Sequence, residues 1–450
     1  MLKNDISTLA VDHCIFSIID KAVVEENGPR VVASGSGLTI TDGAERSYTD
    51  MVGAYTRPNS LGYGNEEIAR AYYDQACKMH YAGTVDIVTG PMVELAQTLT
   101  ELAPGALSRA FFTSGGSESV ESAIKIAKHY QQGSGRKPHA YKIISRWNAY
   151  HGATAGAMSL TNHLTVAQSP DPRLPGVSFI PNPQCYRNPF GMSEEDYFTF
   201  CADYLEQQIL HEGPELVAAF IGEPIMQANG AQVPSKAYWQ RVRDICTKYG
   251  VLLIMDEVIC GFGRTGTWFA AEHFGIEPDI LTMAKAMTAG YAPMGAAMTT
   301  AEIADAIPHF RHVHTYSGHA ASAAAALATI AIKKRGGLIE KALDNGVYFQ
   351  SELKAALGDN PVVGQIRGLG HWHAIDFTSD RATKALPNPE MVTAIVNGIK
   401  QRGILVGAAG TSMEVAPALI ATREDFDRTV SATVESINEA AARFGLAAAA

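Results

Sequence analysis

The stretch VLLIMDEVICGFGRTG, residues 251–266, runs from a wholly apolar segment, 251–255, straight into two carboxylates, Asp256 and Glu257. Such a run bounded by charge reads as a strand buried on both faces, as in a parallel sheet covered by helices. Carboxylates at its carboxyl end stand where open α/β sheets bind ligands. The stretch also spells Gly261-x-Gly263-x-x-Gly266, a literal dinucleotide fingerprint. The acidic pair just upstream disfavours a pyrophosphate, and no clear helical pattern opens after Gly266, so a dehydrogenase reading is set aside.

Working outward, further apolar runs lie at 110–112, 141–144, 177–180, 217–221 and 280–283, with helical patterns such as 119–130 and 236–249 between them. Strands alternating with helices predict an α/β fold with a mostly parallel central sheet. The ends differ. Residues 30–56 read as a small β-hairpin with turns at 35–37 and at Asp42-Gly43, and beyond about residue 330 helices alternate with short strands near 364–377 and 404–406. A smaller α+β domain built from both termini, 1–60 and 331–450, fits around a large domain of 61–330. The closing AAAA, residues 447–450, reads as a frayed end.

Composition narrows the class. The chain has 450 residues, 46% hydrophobic and 18% charged, an ordinary globular balance with more than one domain expected. A net charge of −10 without any Lys/Arg-rich run leaves no footprint for nucleic acid. No window reaches the ~18 apolar residues of a membrane span, and the N-terminus lacks an apolar stretch of signal-peptide length. The cysteines, Cys14, Cys77, Cys185, Cys201, Cys246 and Cys260, are scattered without CxxC or metal-ligand spacing. No metal site is expected, and a reducing compartment, by default the cytoplasm, is.

Three more stretches carry chemistry. In FFTSGGSESVESAIKIAKHY, residues 111–130, an apolar strand end meets Ser114, Gly115, Gly116 and Ser117 before a helix begins. Glycines admit an anion close to the backbone, and a helix start presents free N–H groups and a positive dipole end, which suits a phosphate. The same residues also suit a plain strand-to-helix turn with a serine cap. In ILTMAKAMTAGYAPMGAAM, residues 280–298, Lys285 follows an apolar strand among small apolar neighbours. Desolvation there lowers a lysine pKa and frees an amine to attack a carbonyl; the alternative is a packed stem with its ammonium in water. In ISRWNAYHGATAG, residues 144–156, Tyr150-His151-Gly152 put an aromatic ring after a strand, either to stack on a flat heterocycle or as an ordinary core or surface aromatic.

Together these stretches, with TYSGH at 315–319, resemble the class III pyridoxal-phosphate-dependent aminotransferases, most closely their omega (amine:pyruvate) branch. The resemblance covers essentially the whole chain. It implies the fold type I, aspartate-aminotransferase-like architecture and pyridoxal 5'-phosphate as cofactor. It implies that Lys285 joins the cofactor as a Schiff base and shuttles a proton, and that Asp256 keeps the pyridine nitrogen protonated. Tyr150 and Val258 would take opposite ring faces, and Gly116 and Ser117 the phosphate, within the segment 114–117. His151 falls in the same cofactor-binding set. Glu223 would lie near the ring, and Thr315 would reach the phosphate of a partner subunit, so a homodimer is implied, with a tetramer open. The implied reaction moves an amino group from a primary amine, an omega-amino acid or a taurine-like aminosulfonate to a keto acid, pyruvate foremost, by ping-pong kinetics.

The sequence departs from that family in two places. The arginine often found about nine residues before an A-P-P-L segment falls here on Gly407, upstream of Ala416-Pro417-Ala418-Leu419. Arg57, in GAYTRPNSLGYG beside Tyr55, is the candidate replacement for holding a substrate carboxylate, against a plain exposed loop arginine. Met226 stands where glutamine is common, with Gln227 next to it. A racemase or decarboxylase of the same fold starts from the same cofactor adduct, and a binding protein that kept the fold is a third class; Lys285 together with Asp256 argues against the last.

Overall fold

The computed structural model describes residues 3–83, 85–163, 171–228 and 230–446, so the terminal AAAA lies outside the described residues. Strands β1 (Val32–Ser36), β2 (Thr39–Asp42) and β3 (Ser47–Asp50) form an antiparallel meander rather than the simple hairpin expected from residues 30–56. Gly35 lies within β1, and the first turn falls at Gly37, whose φ of +55° suits glycine.

The apolar runs of the middle chain become β4 (Leu107–Thr113), β5 (Lys142–Arg146), β6 (Val177–Ile180), β7 (Val217–Gly222), β8 (Leu252–Asp256) and β9 (Ile280–Met283), joined by β10 (Gly295–Thr300). Their order is β4-β10-β9-β8-β7-β5-β6. The pairs among β5 to β9 are parallel, whereas β10 runs antiparallel to both neighbours. Every residue of β7, β8 and β9 is buried, as expected of strands covered on both sides.

The pleat divides the core. Leu253 and Met255 pack with Phe220 and Trp239 on one face, while Leu252 and Ile254 pack with Ile221 and Val120 on the other. Helix Gly116–Gly133 covers the second face. Helices Glu194–Glu212 and Lys236–Tyr249 cover the first. The latter starts where the Ser235 side chain accepts from Tyr238 N and stops at Gly250, which is left-handed.

The C-terminal part adds β11 (Val363–Leu369), β12 (Trp372–Phe377), β13 (Ile404–Leu405), β14 (Gly407–Ala409) and β15 (Ser412–Val415). β13 joins β3 in parallel, so the N-terminal meander and the C-terminal segment share a sheet. The order β11-β12-β15-β14 makes a second small sheet, packed on helices Leu338–Leu357, Pro389–Gln401 and Arg423–Arg443 through Phe349, Ile375, Ile395 and Phe426. No described helix is long and apolar enough to cross a membrane.

Candidate active site

Parallel strands deliver their carboxyl ends to one edge of the sheet, and β4 runs in the same sense as β9 because β10 is antiparallel to both. Gly116 and Ser117 follow β4, Tyr150 and His151 follow β5, Glu223 follows β7, Asp256 ends β8 and Lys285 follows β9. All of these line one cavity of about 440 Å³. Val258, Tyr55 and Arg57 line it too. Ser114, Gly115 and Thr315 are not among the lining residues, and Thr315 is exposed.

Lys285 sits at φ +44°, in the left-handed region that a side chain occupies at a cost of about 1–2 kcal/mol. Its amine is pushed down to about 8, first by burial and then by the Arg57 guanidinium, against an upward pull from Asp256. An amine at about 8 is free in roughly a tenth of molecules at pH 7, far more than an ordinary lysine, as nucleophilic and base chemistry require.

Asp256 accepts on both oxygens. His151 Nδ1 lies 2.7 Å from Oδ2, while Thr282 Oγ1 and Val258 N donate to Oδ1 at 3.0 and 3.2 Å. With the carboxylate as acceptor, Nδ1 of His151 carries the proton. His151 is itself held by its backbone N–H, which donates to Thr161 Oγ1 at 2.9 Å.

Glu223 is buried, and burial raises its pKa against the opposing effects of His151 and Arg146. Arg146, wholly buried, donates to the Glu223 backbone carbonyl at 2.6 Å and to Oε2 at 3.3 Å, with its guanidinium 5.2 Å from the Trp239 ring centre. Tyr150 is half-buried and its phenol is shifted upward by burial, then by Asp256.

The start of helix Gly116–Gly133 faces the cavity. A Cβ at Gly116 would meet Val258 Cγ1 at 2.8 Å, so only glycine lets these two segments close together. Ser117 Oγ accepts from Ala153 N at 3.1 Å, which leaves its hydroxyl proton to donate.

Arg57 is not the exposed loop arginine of the alternative reading. Only 6% of its side chain is exposed, and it forms an ion pair with Glu414, itself 1% exposed. Trp372 Nε1 donates to the other Glu414 oxygen at 3.3 Å, and the Arg57 guanidinium lies 5.6 Å from the Trp372 ring centre. Gly407 pairs opposite Glu414 in the β14–β15 ladder, and a Cβ there would stand 3.5 Å from Glu414 Oε2. The position that lacks an arginine and the arginine from residue 57 thus meet at one carboxylate. Gln227 lines the cavity, whereas Met226 is buried outside its lining.

Sequence reasoning missed Glu414, Thr282 and Arg146. A carboxylate inside the apolar run SMEVAPAL, residues 412–419, was the available signal for Glu414. Thr282 and Arg146 are strand residues whose partners come from other strands, so nothing local marks them.

A lysine with a lowered pKa, a carboxylate held by three donors and a glycine-gated helix start on one cavity fit a phosphorylated pyridine aldehyde. The relatives agree. Residues 21–437 match the family described as aminotransferase class-III. A diaminobutyrate–2-oxoglutarate transaminase of Halomonas elongata is 36% identical over 91% of this chain and 90% of its own. A putrescine–pyruvate aminotransferase of Pseudomonas aeruginosa is 33% identical over 96% of both chains. A taurine–pyruvate aminotransferase of Bilophila wadsworthia is 35% identical over 93% and 94%. Among solved structures, an omega transaminase from Pseudomonas jessenii in complex with PMP superposes with a TM-score of 0.94 at 32% identity, covering 98% of this chain and 99% of that one. An (S)-enantioselective omega-transaminase from Thermomicrobium roseum gives 0.92 at 35% identity, covering 97% and 98%.

Proposed function

This chain belongs to the class-III aminotransferases, and on that footing we propose that it moves nitrogen from an amine without an α-carboxylate to pyruvate, with Arg57 holding the acceptor's carboxylate. It is a pyridoxal-phosphate-dependent enzyme of fold type I that transfers an amino group to a keto acid. The observation that carries the finer reading is the Arg57–Glu414 pair on the wall of the cavity that Lys285 enters.

The cofactor, when bound, supplies an aldehyde that condenses reversibly with amines and a ring that takes up electrons when a neighbouring C–H bond breaks. We assign the rest to this chain's residues. Lys285 Nζ anchors the cofactor, takes the proton from the carbon beside the donor nitrogen and returns it. Asp256 faces the ring nitrogen as a fixed negative charge, and His151 and Thr282 keep that charge aimed. Gly116 and Ser117 hold the phosphate at the helix start, where N–H groups and the dipole favour an anion. Tyr150 and Val258 bound the ring on its two faces.

Donors of the relatives span putrescine, taurine and diaminobutyrate. The group common to putrescine and taurine is a primary amine on an unsubstituted carbon, which favours such amines, omega-amino acids and aminosulfonates here. An acceptor carboxylate reaches Arg57 by displacing Glu414.

The active unit we propose is a homodimer with Thr315 extending to the partner's phosphate site. Exposed Thr315 lies between Val313 and Tyr316, which are 71% and 61% exposed, and Tyr81 packs edge-on to Tyr316. Val85 and Val88, 86% and 66% exposed, lie close by in sequence to Tyr81. Such a group of bare apolar side chains favours burial against a second copy. Residues 61–330 serve as the cofactor-binding domain in this reading, with 1–60 and 331–450 as the small one. The unpaired cysteines support residence in the cytoplasm.

The test is a panel of amines, omega-amino acids and aminosulfonates against pyruvate and 2-oxoglutarate, run on the parent and on Arg57→Ala, with sedimentation to measure mass. Pyruvate turnover that collapses in Arg57→Ala supports the assignment. Unchanged transfer to pyruvate refutes the role of Arg57, and a monomer of full activity refutes that of Thr315.

A further inference from the structure

A second lysine lies against the Lys285 turn. Lys333, in helix Ala320–Gly336, is wholly buried. Its Nζ donates to the backbone carbonyl of Ala286 at 2.8 Å and to that of Phe262 at 3.0 Å. Nζ also lies 5.6 Å from the Phe262 ring centre. No carboxylate is hydrogen-bonded to it among the described residues, and burial, with Arg264 adding to it, holds its pKa well below the usual lysine range.

Nζ thus gives one hydrogen bond to each of two carbonyls. Both carbonyls belong to turns that carry strained residues. Phe262 has φ +60°, in the turn after β8 that begins with Glu257 and Val258. Ala286 follows Lys285, at φ +44°, in the turn after β9. Ala286 O also receives Thr288 N, Ala289 N at 3.3 Å and Ser60 Oγ at 3.5 Å. Phe262 O has no other donor among the described residues.

An apolar side chain of the same length would be cheaper to bury at this position, because a lysine loses most of its hydration there. What only a donor provides is a bond to each turn. We propose that Lys333 is a positioning residue for the transamination: it staples the turn carrying Val258 to the turn carrying Lys285, and so fixes where the Lys285 amine stands in the cavity. The inference rests on Lys285 being the cofactor lysine.

The experiment compares the parent with Lys333→Met, Lys333→Gln and Lys285→Ala, each loaded with pyridoxal phosphate. Measured are the pH midpoint of the visible band of the lysine-bound cofactor, the cofactor dissociation constant, kcat and donor KM, and thermal unfolding. Expected for Lys333→Met is a tenfold or larger loss in kcat with donor KM changed less than threefold, a shifted band midpoint and weaker cofactor retention. Lys333→Gln, which keeps two N–H bonds on a shorter stem, recovers part of each. Should Lys333→Met lower thermal stability alone, with midpoint and kcat as in the parent, the residue is merely structural and the staple is refuted. If the methionine variant does not fold, the glutamine variant decides, and a parental midpoint and kcat there refute the idea equally. Lys285→Ala separates the two layers: borohydride-stable cofactor persisting in that variant overturns the reading of Lys285 itself, whatever Lys333 does.

Discussion

Arg57 and Glu414 are each other's counter-ion, on a cavity wall where almost none of either side chain meets solvent. They come from distant parts of the chain, a loop after β3 and strand β15, and meet because β13 brings the C-terminal segment alongside β3. A buried pair of this kind holds a cation ready while cancelling its charge, and in the proposed function an anionic substrate would compete with Glu414 for it.

Removing the cation should therefore separate the two halves of the reaction. Arg57→Ala is expected to weaken pyruvate's half-reaction, in kcat/KM, on the order of 10–100-fold, the equivalent of losing one charge-assisted bond of about 1.5–3 kcal/mol. The half-reaction of an uncharged monoamine such as a simple aralkylamine should change much less. Stopped-flow measurement of each half-reaction checks this, and equal losses in both would count against a carboxylate role.

The pH profile should follow Lys285. Its amine titrates at about 8 because of burial, then Arg57. The proton-moving step should fall tenfold per unit below that pH and level off above it. Arg57→Gln removes a neighbouring cation, which favours the ammonium, so the midpoint of single-turnover rate against pH should move upward. A midpoint that stays put or falls would contradict the electrostatic link. Stability carries the same sign. The unfolded chain, with lysine at 10.5, binds more protons than the folded one between about pH 8 and 10.5. Unfolding free energy of the cofactor-free protein should thus rise across that window, by on the order of 3 kcal/mol from this group. Urea titrations of Lys285→Met should show a flatter rise.

Much of this was legible in the sequence because strands buried on both faces announce themselves. The runs at 177–180 and 280–283 became strands with those bounds, and the helix at 236–249 matches to the residue, its ends marked by Ser235 and Gly250. Asp256 and Lys285 were visible for the same reason: a polar residue at the end of such a run has a sheet edge to face. Strand β10 was not, since Gly295-Ala296-Ala297 has none of the branched side chains that mark a strand. Nor was the partnership of Glu414 with Arg57, nor that of Lys333 with two carbonyls, because each depends on elements far apart in sequence that only the packed fold brings together.

His151 should matter through Asp256. Replacing it by phenylalanine keeps a ring of similar shape but removes the 2.7 Å bond to Oδ2, leaving Asp256 with Thr282 and Val258 as donors. We expect kcat/KM to fall by about 10–100-fold and cofactor to be lost faster on dialysis, the cost of one bond to a buried charge. Lys285 remains in place, so borohydride should still trap the cofactor. Parental turnover in His151→Phe would mean that the other two donors suffice.

Gly346 offers a test of packing away from the chemistry. It lies inside helix Leu338–Leu357, where the helix crosses the loop at Gly370, and a Cβ would come within 2.2 Å of the Gly370 carbonyl oxygen. That neighbour is backbone, and it has little room to retreat: a Cβ on Gly370 would already meet the Thr265 carbonyl carbon at 2.3 Å. Gly346→Ala should therefore destabilise by about 1–3 kcal/mol, the usual cost of forcing one extra carbon into a filled core, even though alanine is the better helix former. Gly90, the first residue of helix Gly90–Leu102, is the control, since a Cβ there meets nothing within 4 Å. Gly90→Ala should be neutral or stabilising by up to ~1 kcal/mol. Urea midpoints of the two variants read the difference directly. If Gly346→Ala unfolds at the same midpoint as Gly90→Ala, the helix and the Gly370 loop are not in the close contact described, and the fold is looser at that crossing than its packing implies.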